Sequence, residues 1–246
     1  MTIRKLTLSA LAALLGFAAI AAADQGASDR AIQIAIERRL AEKDISNGNG
    51  PWVEVENGIV TLRGKVKSVW GKNEALKRAG EVKDVVAIAD ELEIAVGESD
   101  EKVAEEITKK VLSYPYFTVY DDVNLAIDGG HVTLEGRVTM PFKADAIEKR
   151  ASKVTGVQSV TNRITTLPTN IGDDRLRRVL ARLIYGDSLF SEYAYRVNPP
   201  IHIIVERGRV ALTGAVRSEV ERVAAEHIAR GAFGVFSVEN RLTVGD

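Results

Sequence analysis

The sequence of 246 residues contains no cysteine and only three histidines, His131, His202 and His227. Without cysteine the chain has no disulfide framework, no thiolate metal site, no cysteine nucleophile and no lipid-modified cysteine as an anchor. The histidines are not spaced as metal ligands, and no acidic cluster accompanies them. We therefore expect no metal ion and no cofactor.

The sequence also lacks the motifs that carry chemistry in common enzyme families: G-x-S-x-G, the P-loop and the dinucleotide-binding fingerprint. Asp121–Asp122 and Asp173–Asp174 are adjacent carboxylates, but neighbours in sequence do not face one another on a helix or strand. Capping and turn formation explain them better than acid–base catalysis. No nucleophile, base and orienting group can be assembled, so we expect no enzymatic activity.

Long apolar runs are absent except at the N-terminus. There Arg4 and Lys5 precede an apolar run that ends in small residues with an A-x-A pattern before Asp24. This order predicts a cleavable secretory signal peptide over residues 1–23. A retained membrane anchor is the alternative, although the run is short for a span of about 20 residues. We expect residues 24–246 to be soluble outside the cytoplasm.

An excess of basic charge is absent as well. Removing Arg4 and Lys5 leaves 31 basic against 34 acidic residues, a formal charge of −3. A chain without a basic tail or basic excess is not expected to bind nucleic acid.

What the sequence does contain is one pattern of nine residues written three times, as GIVTLRGKV, GHVTLEGRV and GRVALTGAV. Each copy opens with a glycine: Gly58, Gly130 and Gly208. A second glycine follows six residues later: Gly64, Gly136 and Gly214. A polar residue follows 32 residues after the first glycine: Asp90, Asn162 and Asn240. Copies that begin 72 and 78 residues apart with identical internal spacing predict one module used three times.

Each copy shows the same order of predicted elements. Apolar residues alternate before and after the first glycine, which predicts two strands joined by a tight turn with positive φ. The second glycine either lets a helix approach closely or marks a bulge. Helical spacing precedes the hairpin and follows it, and an alternating run ends the copy. We predict an α+β fold of three tandem α-β-β-α-β modules, each a three-stranded mixed sheet covered by two helices.

The predicted boundaries give module one residues 24–97, module two residues 98–168 and module three residues 169–246. N-cap oxygens and negative charge at the helix starts are expected from Ser28–Asp29, Ser99–Asp100 and Asp173–Asp174. The second helix of module three is expected to turn the following residues inward: Val220, Val223, Ala224 and Ile228. A module of about 70 residues has a marginal core, so packing between modules should add stability.

The hairpins and closing strands resemble those of the BON domain family. Module two carries IDGGHVTLEGRV followed by GVQSVTNRI, and module three carries VERGRVALTGAV followed by GVFSVENRLTV. Module one matches in ENGIVTLRGKV but has Asp84 in place of a glycine and Asp90 in place of the asparagine. The resemblance implies a periplasmic or envelope-associated binding protein, linked to osmotic or envelope stress, and not an enzyme. Its implied partners are phospholipid surfaces or envelope proteins.

Two features of module three are candidates for such a surface. A basic stripe recurs along its first helix: Arg175, Arg178 and Arg182. The stripe is expected opposite Leu176, Leu180 and Leu183, and it suits anionic lipid headgroups. The solvated face of an amphipathic helix is the alternative.

The second feature is the longer loop after that helix, which crowds three aromatic residues: Phe190, Tyr193 and Tyr195. Such rings suit a membrane interface or a protein surface. The alternative is that they close the core, as Tyr114–Phe117 would do at the same place in module two.

These observations favour a non-enzymatic periplasmic protein that binds phospholipid surfaces or envelope components in envelope maintenance or osmotic stress protection. The net charge of −3 does not itself favour an anionic surface. The alternative is a protein–protein adaptor or chaperone-like module, because exposed strand edges can accept a partner's strand. The sequence leaves the oligomeric state open.

Overall fold

The fold comes from a computed structural model that describes residues 25–26, 28–41, 45 and 50–245. The signal peptide predicted over residues 1–23 lies outside the described residues. Module one contains α1 (28–41), β1 (Trp52–Glu56), β2 (Ile59–Val66), α2 (Val69–Gly80) and β3 (Ala87–Ile94). Module two contains α3 (Asp100–Leu112), β4 (Asp122–Asp128), β5 (His131–Val138), α4 (Pro141–Ala151) and β6 (Ser159–Thr166).

Module three is longer, because its loop after the first helix holds two extra short helices. Its elements are α5 (Ile171–Gly186), a 3-10 turn (Ser188–Phe190), α6 (Ser191–Ala194), β7 (Ile201–Glu206), β8 (Arg209–Val216), α7 (Glu219–Gly231), β9 (Ser237–Asn240) and β10 (Thr243–Val244).

The three sheets share one topology. The first two strands of each module form an antiparallel hairpin, and the last strand returns parallel to the second. In module three, β9 and β10 are two segments that both pair with β8. A parallel return requires a crossover, which α2, α4 and α7 supply. The predicted α+β fold of three α-β-β-α-β modules with mixed sheets is confirmed.

The two helices of each module bury an apolar stripe against one face of the sheet. In module three, Leu180 and Ile184 of α5 lie against Ile203 and Leu212 of the hairpin, and none of the four has exposed surface. Fully burying one such side chain contributes about 1.5–3 kcal/mol, so these contacts are the main stabilising term of a small module.

The buried face of α7 differs from the predicted one. Val220 and Val223 are 69% and 53% exposed, whereas Ala225 and Ala229 are fully buried. The small alanines let the helix lie close to the sheet. The two valines lie on a different face of the helix and are exposed to solvent. The predicted inward orientation of the two valines is therefore wrong.

A two-residue turn with positive φ closes each hairpin, and an aspartate of the preceding helix holds it. In module three, Arg207 and Gly208 have φ of 53° and 73°. Both of their N–H groups donate to the Asp173 carboxylate, at 2.7 and 2.9 Å. Asp29 and Asp100 accept the same pair of bonds in modules one and two. A charged acceptor strengthens these bonds, so the helix start and the turn are fixed together.

The N-caps are only partly those predicted. Ser99 caps α3 by accepting from the N–H of Lys102. In α5 the capping side chain is Asn170, which accepts from the N–H of Asp173. Asp173 was expected to cap the helix; its carboxylate serves the hairpin turn instead.

The second glycine of copies two and three lies where two strands approach too closely for any side chain. Gly136 and Gly214 have φ of 148° and 102°. A Cβ atom on them would lie 2.0 Å from the carbonyl oxygen of Asp122 and 1.9 Å from that of Pro200. The obstacle is the backbone of the facing strand, and strand pairing keeps its register through both glycines, so neither a close helix nor a bulge explains them.

The polar residue of the closing strand joins that strand to the second helix. Asn162 accepts from the N–H of Ile164 at 3.0 Å and donates to the Glu148 carboxylate at 2.9 Å. Asn240 makes the equivalent bonds to Leu242 and Glu226 in module three. This position therefore needs a side chain with both an acceptor oxygen and an N–H donor, and asparagine provides both.

In module one an ion pair joins the closing strand to the second helix. Asp90 accepts from the N–H of Leu92 at 3.0 Å, and its second oxygen pairs with Lys72 at 2.9 Å. Lys72 lies on α2, the helix that packs on the closing strand. The departure of Asp90 from the asparagine is thus compensated by a cation on the helix.

The chain divides into two compact units, residues 1–96 and 97–246. Modules two and three share the second unit and contact each other. The N–H of Ile203 donates to the carbonyl of Val119 at 2.6 Å, and the Thr213 hydroxyl donates to Asp122 at 2.9 Å. Leu167 at the end of module two is buried against the sheet of module three.

Candidate functional site

The three arginines of the predicted basic stripe lie on the solvent face of α5. Arg175, Arg178 and Arg182 are exposed, and none has an ion pair or hydrogen bond within the described part of the chain. Leu183 was expected on the opposite face but is 44% exposed beside them, as is Val179 at 37%. The exposed face of α5 is therefore both cationic and apolar.

Two of the three aromatic candidates in the following loop are core residues. Phe190 and Tyr193 are buried, because the 3-10 turn and α6 fold the loop onto the core of module three. Their predicted part in a contact surface is wrong, since neither ring reaches solvent. Tyr195 alone is exposed, near the start of β7 and so at the opposite end of the module from the hairpin turn.

The hydroxyl of Tyr193 has a specific internal role. It donates to the Glu221 carboxylate at 2.6 Å, and the N–H of Arg217 donates to the same carboxylate at 2.8 Å. Burial raises the pKa of Tyr193, and the bond to Glu221 raises it further. The phenol therefore stays a neutral donor that links α6 to α7.

The buried carboxylate of Asp121 in module two also has a structural role. Asp121 accepts from the N–H groups of Thr118 and Thr139, both at 2.8 Å, and from the Lys143 ammonium at 2.7 Å. Its oxygens thus tie together a loop, the end of β5 and α4. This geometry agrees with a structural role and leaves no oxygen directed at a substrate.

Two further exposed aromatic residues of module three lie in the loop between α7 and β9. Phe233 is fully exposed and Phe236 is 79% exposed. Module two has Thr155 and Gln158 at the corresponding positions of its copy. Comparison with module two could have found this pair, because phenylalanine replaces a polar residue at both positions, whereas module one has Lys83 and Val86 there.

The backbone brings these phenylalanines to the same end of module three as the start of α5. Asp173 holds the turn at Gly208, and the carbonyl of Gly208 accepts from the N–H of Phe236 at 2.8 Å. The Arg209 guanidinium lies 5.9 Å from the centre of the Phe236 ring, within range of a cation–π contact. Ile171, the first residue of α5, is 85% exposed.

We call this surface the basic-aromatic end. Its residues are Ile171, Arg175, Arg207, Arg209, Phe233 and Phe236. A cleft of about 330 Å³ adjoins it, lined by four arginines and two glutamates among other residues. Of these arginines, Arg137 and Arg241 are paired with Glu206 and Glu239. Arg207 and Arg209 have no acidic partner among the described residues and are available to an anion.

Neither a metal centre nor a membrane span is found in the described ranges. No three side chains of the types His, Cys, Asp and Glu come together there as a metal site would require. The Nδ1 atom of His131 lies 2.8 Å from the Ser159 hydroxyl. No described helix combines the length and the apolar character that crossing a bilayer demands.

Comparison with known proteins gives one family. The BON domain matches the chain in three segments, residues 28–96, 99–168 and 188–246. The osmotically-inducible protein Y of Escherichia coli (strain K12) is 28% identical over 152 residues, which covers 56% of this chain and 72% of that protein.

Among solved structures, the C-terminal domain of CdsD, the structural protein of the type III secretion system of Chlamydia trachomatis, aligns at 16% identity. The alignment covers 86% of this chain and 96% of that domain, with a TM-score of 0.25. A likeness of this size carries no weight for fold or function.

Proposed function

Because the chain belongs to the BON domain family, we propose that it is a non-enzymatic periplasmic protein that binds anionic phospholipid surfaces and protects the cell envelope under osmotic stress. The family match in all three modules supports the class. The similarity to an osmotically inducible protein supports the link with osmotic stress.

The observation that carries the lipid part of the proposal is the basic-aromatic end. It combines Arg175, Arg207 and Arg209 with the exposed rings of Phe233 and Phe236. An arginine near an anionic leaflet contributes about 1 kcal/mol, and aromatic rings partition to the membrane–water interface. The residues lie on a helix, a turn and a loop that hydrogen bonds hold together, so little order has to be gained on binding.

The negative net charge does not oppose this surface. Charges farther apart than a Debye length of about 8 Å at physiological salt are largely screened. An anionic membrane therefore interacts mainly with the charged side chains nearest to it. At the basic-aromatic end these are arginines without acidic partners among the described residues. We expect binding to anionic vesicles at low salt and much weaker binding at high salt.

Flotation with vesicles tests the aromatic contribution. We expect the double variant Phe233→Ser, Phe236→Ser to bind anionic vesicles about thirtyfold or more weakly, because burying the two rings together contributes about 2 kcal/mol or more. Tyr195→Ser is the matched control, since Tyr195 is 91% exposed and lies at the opposite end of module three from this surface.

The same assay tests the charges. Arg175→Glu with Arg209→Glu should abolish salt-sensitive binding, because both groups would then repel anionic headgroups. Lys83→Glu with Lys149→Glu makes the same change in net charge at exposed positions of modules one and two. Equal losses in both pairs would mean that only overall charge matters, and the proposed surface would be refuted.

A further inference from the structure

The first strands of modules two and three differ in how their outer edges are used. In a hairpin with a two-residue turn, the residues that close the turn exchange bonds, and every second residue does so along the strands. The residues between them point their N–H and C=O groups away from the hairpin. In β7 these are Ile201, Ile203 and Val205, and in β4 they are Val123, Leu125 and Ile127.

The outer edge of β7 is closed. The Ile203 N–H donates to Val119, as described above. The carbonyl of Val205 accepts from the Arg177 guanidinium at 2.5 Å. The carbonyl of Ile201 accepts from the Tyr185 hydroxyl. Burial is the main cause of the raised pKa of Tyr185, so this donor keeps its proton across the physiological range.

The outer edge of β4 is open. No other strand pairs with it on that side, and the outward groups of Leu125 and Ile127 have no hydrogen-bond partner among the described residues. Natural proteins usually protect such an edge, because it is a template for pairing with another chain. The second unit therefore closes one hairpin edge with three specific contacts and leaves the other open.

An apolar groove runs beside the open edge. It measures about 1130 Å³, and Leu125 of β4, Leu112 of α3 and the ring of Phe117 contribute to its lining. Glu101 and Glu105 lie along one wall, against a single cation, Lys109. None of these three charges has an ion-pair partner in the described part of the chain. The rim thus has an excess of negative charge.

We propose that this edge and groove bind an extended segment of another polypeptide, which adds as a strand beside β4. Its peptide groups pair with the outward N–H and C=O groups of Leu125 and Ile127. Its alternate apolar side chains enter the groove, and a lysine or arginine lies against Glu101 and Glu105. This site is on module two and does not depend on the lipid surface of module three.

Two other occupants fit less well. A lipid acyl chain would cover the apolar lining but would leave the edge peptide groups without partners in an apolar environment, which is costly. A second copy of the chain, paired edge to edge, would bring two negatively charged rims into one interface. A strand with a basic side chain satisfies both the hydrogen bonds and the charge.

Hydrogen exchange on the full chain tests the proposal directly. The probe is a synthetic peptide of about ten residues in which valine and threonine alternate around one lysine. On binding, the amides of Leu125 and Ile127 should exchange about tenfold or more slowly. The Ile203 amide should not change, because it is already bonded to Val119.

Peptide and protein variants separate backbone pairing from simple burial. A peptide N-methylated at alternate residues cannot pair along one edge and should bind about tenfold more weakly. Leu125→Pro removes an outward donor without removing a bond to β5, so it should weaken binding far more than Leu125→Ala. Glu101→Lys with Glu105→Lys leaves the hairpin intact and should weaken binding about fivefold.

The outcomes are decisive even if the proline variant fails to fold. Absence of peptide binding, or binding without slower exchange at Leu125 and Ile127, overturns the proposal. Equal affinity for the N-methylated peptide shows side-chain burial without strand addition and overturns it as well. Concentration-dependent protection of the two amides without peptide assigns the edge to a second copy and overturns the proposed occupant.

Discussion

At the scale of single residues, one position of the repeated module is filled with two different chemistries. Asn162 and Asn240 each donate to a glutamate on the covering helix, and Asp90 instead accepts from Lys72. In all three modules the side chain lies on the closing strand, reaches the second helix and accepts from the backbone N–H two residues later. The sequence could locate this position from its spacing, but not its role, because the partner lies 14 or 18 residues away on another element.

The role of the asparagine can be measured through pH. The amide of Asn240, followed by Arg230, lowers the pKa of Glu226. A carboxyl with a lowered pKa contributes stability that is present above its unfolded pKa of about 4.3 and is lost as pH falls through the folded pKa. We expect Asn240→Ala to cost about 1–3 kcal/mol at neutral pH, because Glu226 and the N–H of Leu242 lose their partner.

The same variant should show a smaller loss of stability on acidification than the wild type. Urea unfolding between neutral pH and about pH 3, followed by tyrosine signals, measures both effects. All six tyrosines lie in residues 97–246 and both tryptophans in module one, so the two units can be followed separately. If the free energy of unfolding of the variant falls with pH as steeply as that of the wild type, the Asn240 amide does not control the Glu226 carboxyl.

At the scale of elements, alternation and helical spacing sufficed to predict strand order, hairpins and the parallel return. They failed where residue size and not polarity decides the packing. In α7 the pattern favoured the larger valines as the buried face, but Ala225 and Ala229 are buried because the helix lies close to the sheet. A shift of one residue position turns a helix by about 100°, which is enough to replace the valines by Ala225 and Ala229 at the core.

The loop of module three shows a different limit of sequence reasoning. Its aromatic residues matched both a surface and a core interpretation, and spacing could not distinguish them. Folding the loop into a short helix buries Phe190 and Tyr193 and leaves Tyr195 exposed. The exposed pair, Phe233 and Phe236, lies in a loop of ordinary length, where length gave no signal.

Truncation of these rings should separate the two classes. We expect Phe190→Ala to destabilise the second unit by about 3–5 kcal/mol, since it removes a fully buried ring and leaves a cavity. Tyr195→Ala should change stability by less than about 0.5 kcal/mol, because its ring is exposed. Urea unfolding checks both, and similar losses for the two variants would contradict the placement of the loop.

At the scale of the whole molecule, three copies of one fold carry different surfaces. Module three presents arginines and phenylalanines at one end, whereas module two presents an open strand edge beside an acidic groove. A chain with a formal charge of −3 after removal of residues 1–23 can thus hold a cationic surface, because the charges are unevenly distributed. Duplicated modules are free to specialise in this way, since the residues of the shared motif keep the fold.

The central claim is that the basic-aromatic end of module three meets the membrane. Because the chain has no cysteine, a single introduced cysteine can be labelled uniquely with an environment-sensitive fluorophore. Labels at Phe233→Cys and at Tyr195→Cys would be compared on anionic vesicles containing a lipid-borne quencher. The account predicts a blue shift and quenching at position 233, reversed by salt, and a water-exposed label at position 195. A label at 233 that stays in water while the protein is bound would contradict it.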